Sequence, residues 1–216
     1  MKKLLVTLSC LLLFSSVAFA SPQMDFSAGS GSIDLIGRNT ENTITVDGEY
    51  NFDKKFNFDG TVTAGLGNDF ALQYRNFVPK SKNTSIDGIT YTSKIRTNEY
   101  NLLYKLDTNV AALAGLVNTK GYLNANGLGS SETNSKNYWQ VGIVASTVVA
   151  PNTTLWGSAA AGKNLTNYEV GAAYEFSPGW EFDVNYRNIK LKDFDVENAN
   201  PDFAASGFGL GVTYKF

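Results

Sequence analysis

The side chains able to do chemistry in this sequence are carboxylates and a few bases, spaced for strands. Glu181 and Asp183 stand two residues apart, which places both acids on one face of a strand. Such a pair could act as general acid and base if a third group oriented it. Arg75, Lys105 and Arg187 are the bases best placed to neutralise acids of this kind. What is missing narrows the chemistry. The chain has no histidine and one cysteine, Cys10. Ser-His-Asp triads, Cys-His dyads and histidine-ligated metals are therefore out of reach. No spacing supplies a partner for Glu181 and Asp183, so they read as the polar lining of an interior. No enzymatic activity, cofactor or metal is expected. Gly127-Leu128-Gly129 and Gly207-Phe208-Gly209 lack the strand–loop–helix setting of a phosphate cradle and read as relief of crowding in a curved wall.

The elements that must position these residues alternate at period 2. Trp180, Phe182, Val184 and Tyr186 interleave with Glu181, Asp183, Asn185 and Arg187. Tyr168, Val170, Ala172, Tyr174 and Phe176 interleave with Asn167, Glu169, Gly171, Ala173 and Glu175. Tyr100, Leu102 and Tyr104 do the same against Glu99, Asn101 and Lys105, and Ile44 to Phe52 against Thr45, Asp47, Glu49 and Asn51. An amphipathic helix would group apolar residues every three or four positions, so these are strands. Asp107-Thr108-Asn109, Pro151-Asn152-Thr153 and Ser177-Pro178-Gly179 are tight turns. Between them lie longer polar stretches, Lys80 to Thr92, Leu123 to Lys136 and Lys192 to Ala204.

A soluble β-sandwich would alternate too. Its outer face, however, would carry many Lys and Glu, where one face here is rich in Gly, Ala and Ser. Strands of about ten residues fit a tilted membrane crossing, and aromatics gather beside the tight turns as at an interface.

Residues 1–20 read as a signal peptide: Lys2 and Lys3, an apolar run Leu4 to Phe14, then Ala18-Phe19-Ala20 as the cleavage site. That run is shorter than the roughly 20 residues of a membrane helix. Cleavage removes Cys10 and two lysines from a chain of formal charge −2. An acidic remainder without a basic patch argues against nucleic acid as a partner.

The last residues, Phe208-x-Leu210-x-Val212-x-Tyr214-x-Phe216, end on an aromatic. This resembles the C-terminal signature strand of bacterial outer-membrane barrels, recognised by the barrel-assembly machinery. With the leader and the cadence, the chain resembles the small porin-like or OmpA- or OmpX-like barrels. The resemblance implies an all-β, transmembrane, antiparallel up-and-down barrel in outer-membrane lipid. It leaves the oligomeric state open. Enzymatic barrels of related kinds rely on a histidine, which this sequence lacks.

Ten strands are expected, with eight as the alternative. The expected division is a lead-in over 21–40 and a barrel over 41–216. Ile44–Phe52 and Phe56–Leu66 would be the first two strands, joined at Asp53-Lys54-Lys55. A second register starts at Phe26–Ile36 and runs Phe56 to Phe77 as one strand. With the apolar parity in lipid, the lumen receives Asp47, Glu49, Asp59, Arg75, Glu99, Lys105, Glu169, Glu175, Glu181, Asp183 and Arg187. Acids predominate in this set. Either water fills a small cation-favouring channel for ions or little solutes, or the bases pair with acids and close it. The second case gives a structural or interaction barrel that presents its outer loops.

Overall fold

The computed structural model describes residues 22–194 and 200–216. The signal-peptide reading, with Ala18 and Ala20, lies outside the described residues. The strands are β1 (Gly31–Thr45), β2 (Glu49–Gly67), β3 (Phe70–Phe77), β4 (Thr84–Ile86), β5 (Ile89–Asp107) and β6 (Val110–Ala125). They continue with β7 (Gly129–Glu132), β8 (Lys136–Ala150), β9 (Thr153–Gly162), β10 (Leu165–Ser177), β11 (Trp180–Leu191) and β12 (Asp202–Lys215). β4 and β7 are short pieces paired to the ends of β5 and β6. The other ten strands form a closed antiparallel ring.

Closure runs along the full length of β1 and β12, from Ser32↔Lys215 to Thr45↔Asp202. The last residue completes it: Phe216 N–H donates to Gly31 O (3.0 Å) and Gly31 N–H donates to Phe216 O (2.8 Å). A ring without an edge satisfies every ladder group internally, which a strand in hydrocarbon requires.

Four tight turns lie at one end, at Asn68-Asp69, Thr108-Asn109, Pro151-Asn152 and Pro178-Gly179. Asn68, Asp69, Asn152 and Gly179 carry the positive φ that such turns demand (52°, 66°, 57° and 76°). Phe216 is at this end too, which is the periplasmic end by the short-turn rule. The opposite end carries the stretches around β4 and β7 and, between β11 and β12, residues 192–194 and 200–201.

The outward parity is apolar. Leu35, Phe58, Trp139, Val184, Phe208, Leu210 and Phe216 are all more than half exposed. Aromatic pairs girdle the periplasmic rim: Phe176 stacks on Phe182 at 4.4 Å and Trp180 meets Tyr214 at 4.6 Å.

Ten strands form, and the eight-strand alternative does not. Both expected N-terminal registers, however, give way to a third. The barrel begins at Gly31 rather than 41, so the second half of the supposed lead-in is part of β1. The first outer turn is Val46-Asp47-Gly48, in the middle of the expected strand Ile44–Phe52. Asp53-Lys54-Lys55 is not a turn but lies within β2. The cause is a β-bulge: β1 pairs with β2 in register up to Thr40↔Lys55, then resumes at Asn42↔Phe52. The shift reverses which parity of β2 points inward, so the alternation breaks there as it would at a strand end.

Candidate functional site

Inside the ring the lumen is layered. At the outer end an apolar cluster fills the interior: Ile44, Phe52, Phe77, Ile95, Val117 and Leu165 pack with Ile189, Leu191 and Phe203. Phe194, from the 192–201 connection, caps them and is wholly buried, 4.6 Å from Phe203. Tyr138 O–H donates to Lys192 O (2.9 Å) and so ties that connection to β8.

The middle layer holds the charges. Arg38 on β1 is fully buried; its Nη2 lies 3.2 Å from Asp59 Oδ2 and 2.8 Å from Glu169 Oε1. Its Nη1 donates to Gly207 O at 3.1 Å. Arg75 Nη1 holds the other carboxylate oxygen of Glu169 at 2.7 Å. Arg187 donates to Glu99 and, at 3.3 Å, to Asn167 Oδ1. Its guanidinium also lies 4.7 Å from the Phe77 ring centroid. β3 faces β10 across the ten-strand ring, and β5 faces β11. The Arg75–Glu169 and Arg187–Glu99 pairs therefore span the full width of the lumen.

Neutral amides continue the barrier. Asn167 donates to Glu99 Oε2 (3.1 Å), Gln140 to Asn101 Oδ1 (2.8 Å) and Asn101 to Gln73 Oε1 (3.1 Å). Burying so many charges is tolerable only because they are paired and hydrogen-bonded. A cavity of about 50 Å³ remains among Asp34, Arg75, Glu99, Glu169 and Asp183, room for a few waters.

The periplasmic end is stoppered by chain. Met24 and Phe26 are buried with Ala71, Leu103, Leu113 and Val144. Gln23 Nε2 donates to Gly31 O at 3.1 Å. Beside them Asp25 accepts the Ser27 N–H (2.9 Å), which holds its carboxyl below the usual carboxylate range.

Most expected lining residues do face inward. Asp59, Glu99, Glu169, Glu181, Asp183 and Arg187 are buried, and Arg75 is nearly so. Glu181 pairs with Lys215 at 3.2 Å. Lys105 and Glu175 are half-buried near the periplasmic rim, and Glu175 accepts the Gly179 N–H at 3.0 Å. Two residues are corrections. Asp47 and Glu49 are exposed at the β1–β2 hairpin, because the chain reverses at 46–48 instead of continuing through the wall. Sequence reasoning missed Arg38, Asp34 and Lys215. Ile33-x-Leu35 on the opposite parity was the available signal for the first two. The polar parity also turns apolar at Ile95, Ile189 and Leu191, which announces the outer plug.

Of the expected assembly-signal residues, Phe208, Leu210, Tyr214 and Phe216 face outward and Val212 is half-buried. The inward glycines between them make room. A Cβ on Gly211 would lie 2.3 Å from Asp183 Oδ2, and one on Gly209 would lie 2.8 Å from Asn185 Oδ1.

A closed ring with an apolar exterior and a polar middle defines an outer-membrane-type β-barrel. The chain belongs to the outer membrane protein beta-barrel domain family, whose model matches residues 4–216, and that family points to the bacterial outer membrane. No curated protein matches the sequence. Among solved structures it is similar to the outer membrane protease OmpT of Escherichia coli. The two are 12% identical over 91% of this chain and 100% of that one, with a TM-score of 0.55. It is also similar to Ail, the attachment invasion locus protein of Yersinia pestis, solved with the heparin analogue sucrose octasulfate. There the identity is 16% over 87% of this chain and 99% of that one, with a TM-score of 0.46. Neisserial surface protein A is 14% identical over 87% and 99%, with a TM-score of 0.41. At such identities the likeness concerns the fold.

Proposed function

We propose that this chain is a closed, non-conducting outer-membrane barrel that works through its surface and outer connections, and that it is not an enzyme. The observation that carries the reading is the pair of ion bridges, Arg75–Glu169 and Arg187–Glu99, laid across the lumen between opposite strands. An apolar plug above them and the Met24–Phe26 segment below support it. The competing reading is an acid-lined channel passing cations. It loses support because Asp47 and Glu49 are outside the lumen while Arg38 and Lys215 are inside. On this reading residues 1–20 are a cleaved export signal, and the Phe208-to-Phe216 strand is what the barrel-assembly machinery engages.

The test is solute entry into phosphatidylcholine vesicles carrying the folded chain over residues 21–216. Vesicles in an isotonic small sugar stay unswollen under this proposal. Swelling at the rate of a porin-containing control would overturn it.

A further inference from the structure

The outward face of β5 and β6 has a charge arrangement that the lumen does not explain. On the lipid-facing parity, Lys94 stands opposite Tyr122 and Arg96 opposite Lys120. The two ammonium nitrogens lie 5.1 Å (Lys94) and 5.4 Å (Lys120) from the Tyr122 ring centroid, and the Arg96 guanidinium lies 5.8 Å from it. Three cations thus crowd one ring. Among the described residues one acid is ion-paired to the three, Glu132, 2.8 Å from Lys120 with its side chain 59% exposed. No ion pair reaches Lys94 or Arg96 among the described residues. Lys80 joins Lys94, Tyr122, Ser131 and Glu132 around a cleft of about 240 Å³. Three like charges repel, so an arrangement like this one is stable when an anion is shared among them.

Following the same face toward the membrane gives the second observation. Below Arg96–Lys120 comes a row of amides, with Asn76 Nδ2 donating to Asn98 Oδ1 (2.9 Å) and Asn118 Nδ2 to Asn137 Oδ1 (2.7 Å). Tyr74 O–H donates to the same Asn98 oxygen at 3.0 Å, in the manner of an interfacial aromatic. Beneath it an apolar groove of about 620 Å³ opens between Leu72, Tyr100, Leu102, Leu116 and Trp139, with Ala114 as its floor. Tyr100 pairs with Leu116 and Leu102 with Ala114, so the groove lies on the same two strands as the cations. Arg96 to Tyr100 is four residues, roughly 13 Å along a strand.

We propose that the β5–β6 wall is a binding site for one lipid of the outer leaflet whose phosphate head carries a net negative charge. Its anionic head is held by Lys94, Arg96 and Lys120, and an acyl chain lies in the groove beside Trp139. Charge selects the head and the groove requires a chain, so a lipid fits both parts where a soluble anion fits one. The site is on the outside of the wall and holds whether or not the lumen conducts.

Trp139 reports on the groove directly, since Trp156 is buried in the lumen and Trp180 lies at the periplasmic rim. The experiment uses the folded chain bearing W180F in phosphatidylcholine bilayers. Phosphatidic acid with brominated acyl chains is titrated in, against brominated phosphatidylcholine as reference. The expected result is quenching at about tenfold lower mole fraction for phosphatidic acid, whose head is a net anion, than for zwitterionic phosphatidylcholine. That preference disappears in K94Q/R96Q/K120Q, persists in K54Q, and fades in high salt. A heat-dependent gel shift verifies folding of each variant, all altered at partly or fully exposed positions. Equal quenching by the two lipids, or a preference that survives the triple substitution, overturns the proposal. So does loss of the preference to millimolar inorganic phosphate, which would mean that the cations hold a free anion and the groove no lipid.

Discussion

The Glu169 carboxylate is shared by two arginines: Arg38 Nη2 lies 2.8 Å from one oxygen and Arg75 Nη1 lies 2.7 Å from the other. Arg38 comes from β1 and Arg75 from β3, so one side chain of β10 anchors two strands that it does not neighbour in the ring. Removing its charge leaves two cations facing a neutral amide in a buried layer. E169Q is expected to destabilise the barrel by roughly 3–5 kcal/mol. Urea unfolding in lipid vesicles measures this. R75Q/E169Q should lose less than the sum of the single changes, because the pair is coupled.

The stopper at the periplasmic end makes a separate prediction. Phe26 is 2% exposed, and its carbonyl accepts the Gly67 N–H at 2.8 Å. F26A should cost about 3 kcal/mol by leaving a cavity against its apolar neighbours. The same unfolding measurement tests it, and a cost near zero would mean that the segment does not pack in the mouth.

Neighbouring residues of β11 distinguish the two faces of the wall. Val184 is 53% exposed on the outward parity, whereas Asp183 is buried in the lumen. V184R is expected to cost about 2–4 kcal/mol, the range for a cation on the lipid face. D183N should cost under about 1 kcal/mol, because the amide keeps a hydrogen-bonding role beside Asn185. Folding yield into bilayers should rank the two in that order.

Glycines separate by the room around them. G211A brings a methyl to 2.3 Å from Asp183 Oδ2, a contact that forces side-chain movement and costs roughly 1–3 kcal/mol. G60A meets nothing nearer than 3.6 Å and should be neutral or slightly stabilising. Paired melting curves by gel shift test the contrast.

How much of this was legible in the sequence depended on whether alternation stayed in phase. β11 starts at Trp180, directly after the Ser177-Pro178-Gly179 turn, and carries the Trp180–Arg187 cadence intact, because nothing interrupts period 2 along it. The N-terminal hairpin was not legible. Ile44, Val46, Gly48, Tyr50 and Phe52 alternate straight through a turn, and the bulge in β2 then breaks the phase where the strand continues. In the lumen, parity located Arg75, Glu99, Glu169 and Arg187 but not which base meets which acid. Pairing across a ring joins residues 88 and 94 positions apart, and no local pattern encodes it. Arg38 was lost with its strand, and the balance of charge shifted toward neutrality once it was found.

Single-channel recording of the folded chain in a planar bilayer under a salt gradient tests the closed lumen most directly. With folding verified by the gel shift, the wild-type bilayer is predicted to stay silent, and E99A/R187A, which deletes a bridge spanning the lumen, to raise ion leakage above it. Discrete wild-type steps with a reversal potential favouring cations would contradict the closed barrel and restore the acid-lined channel.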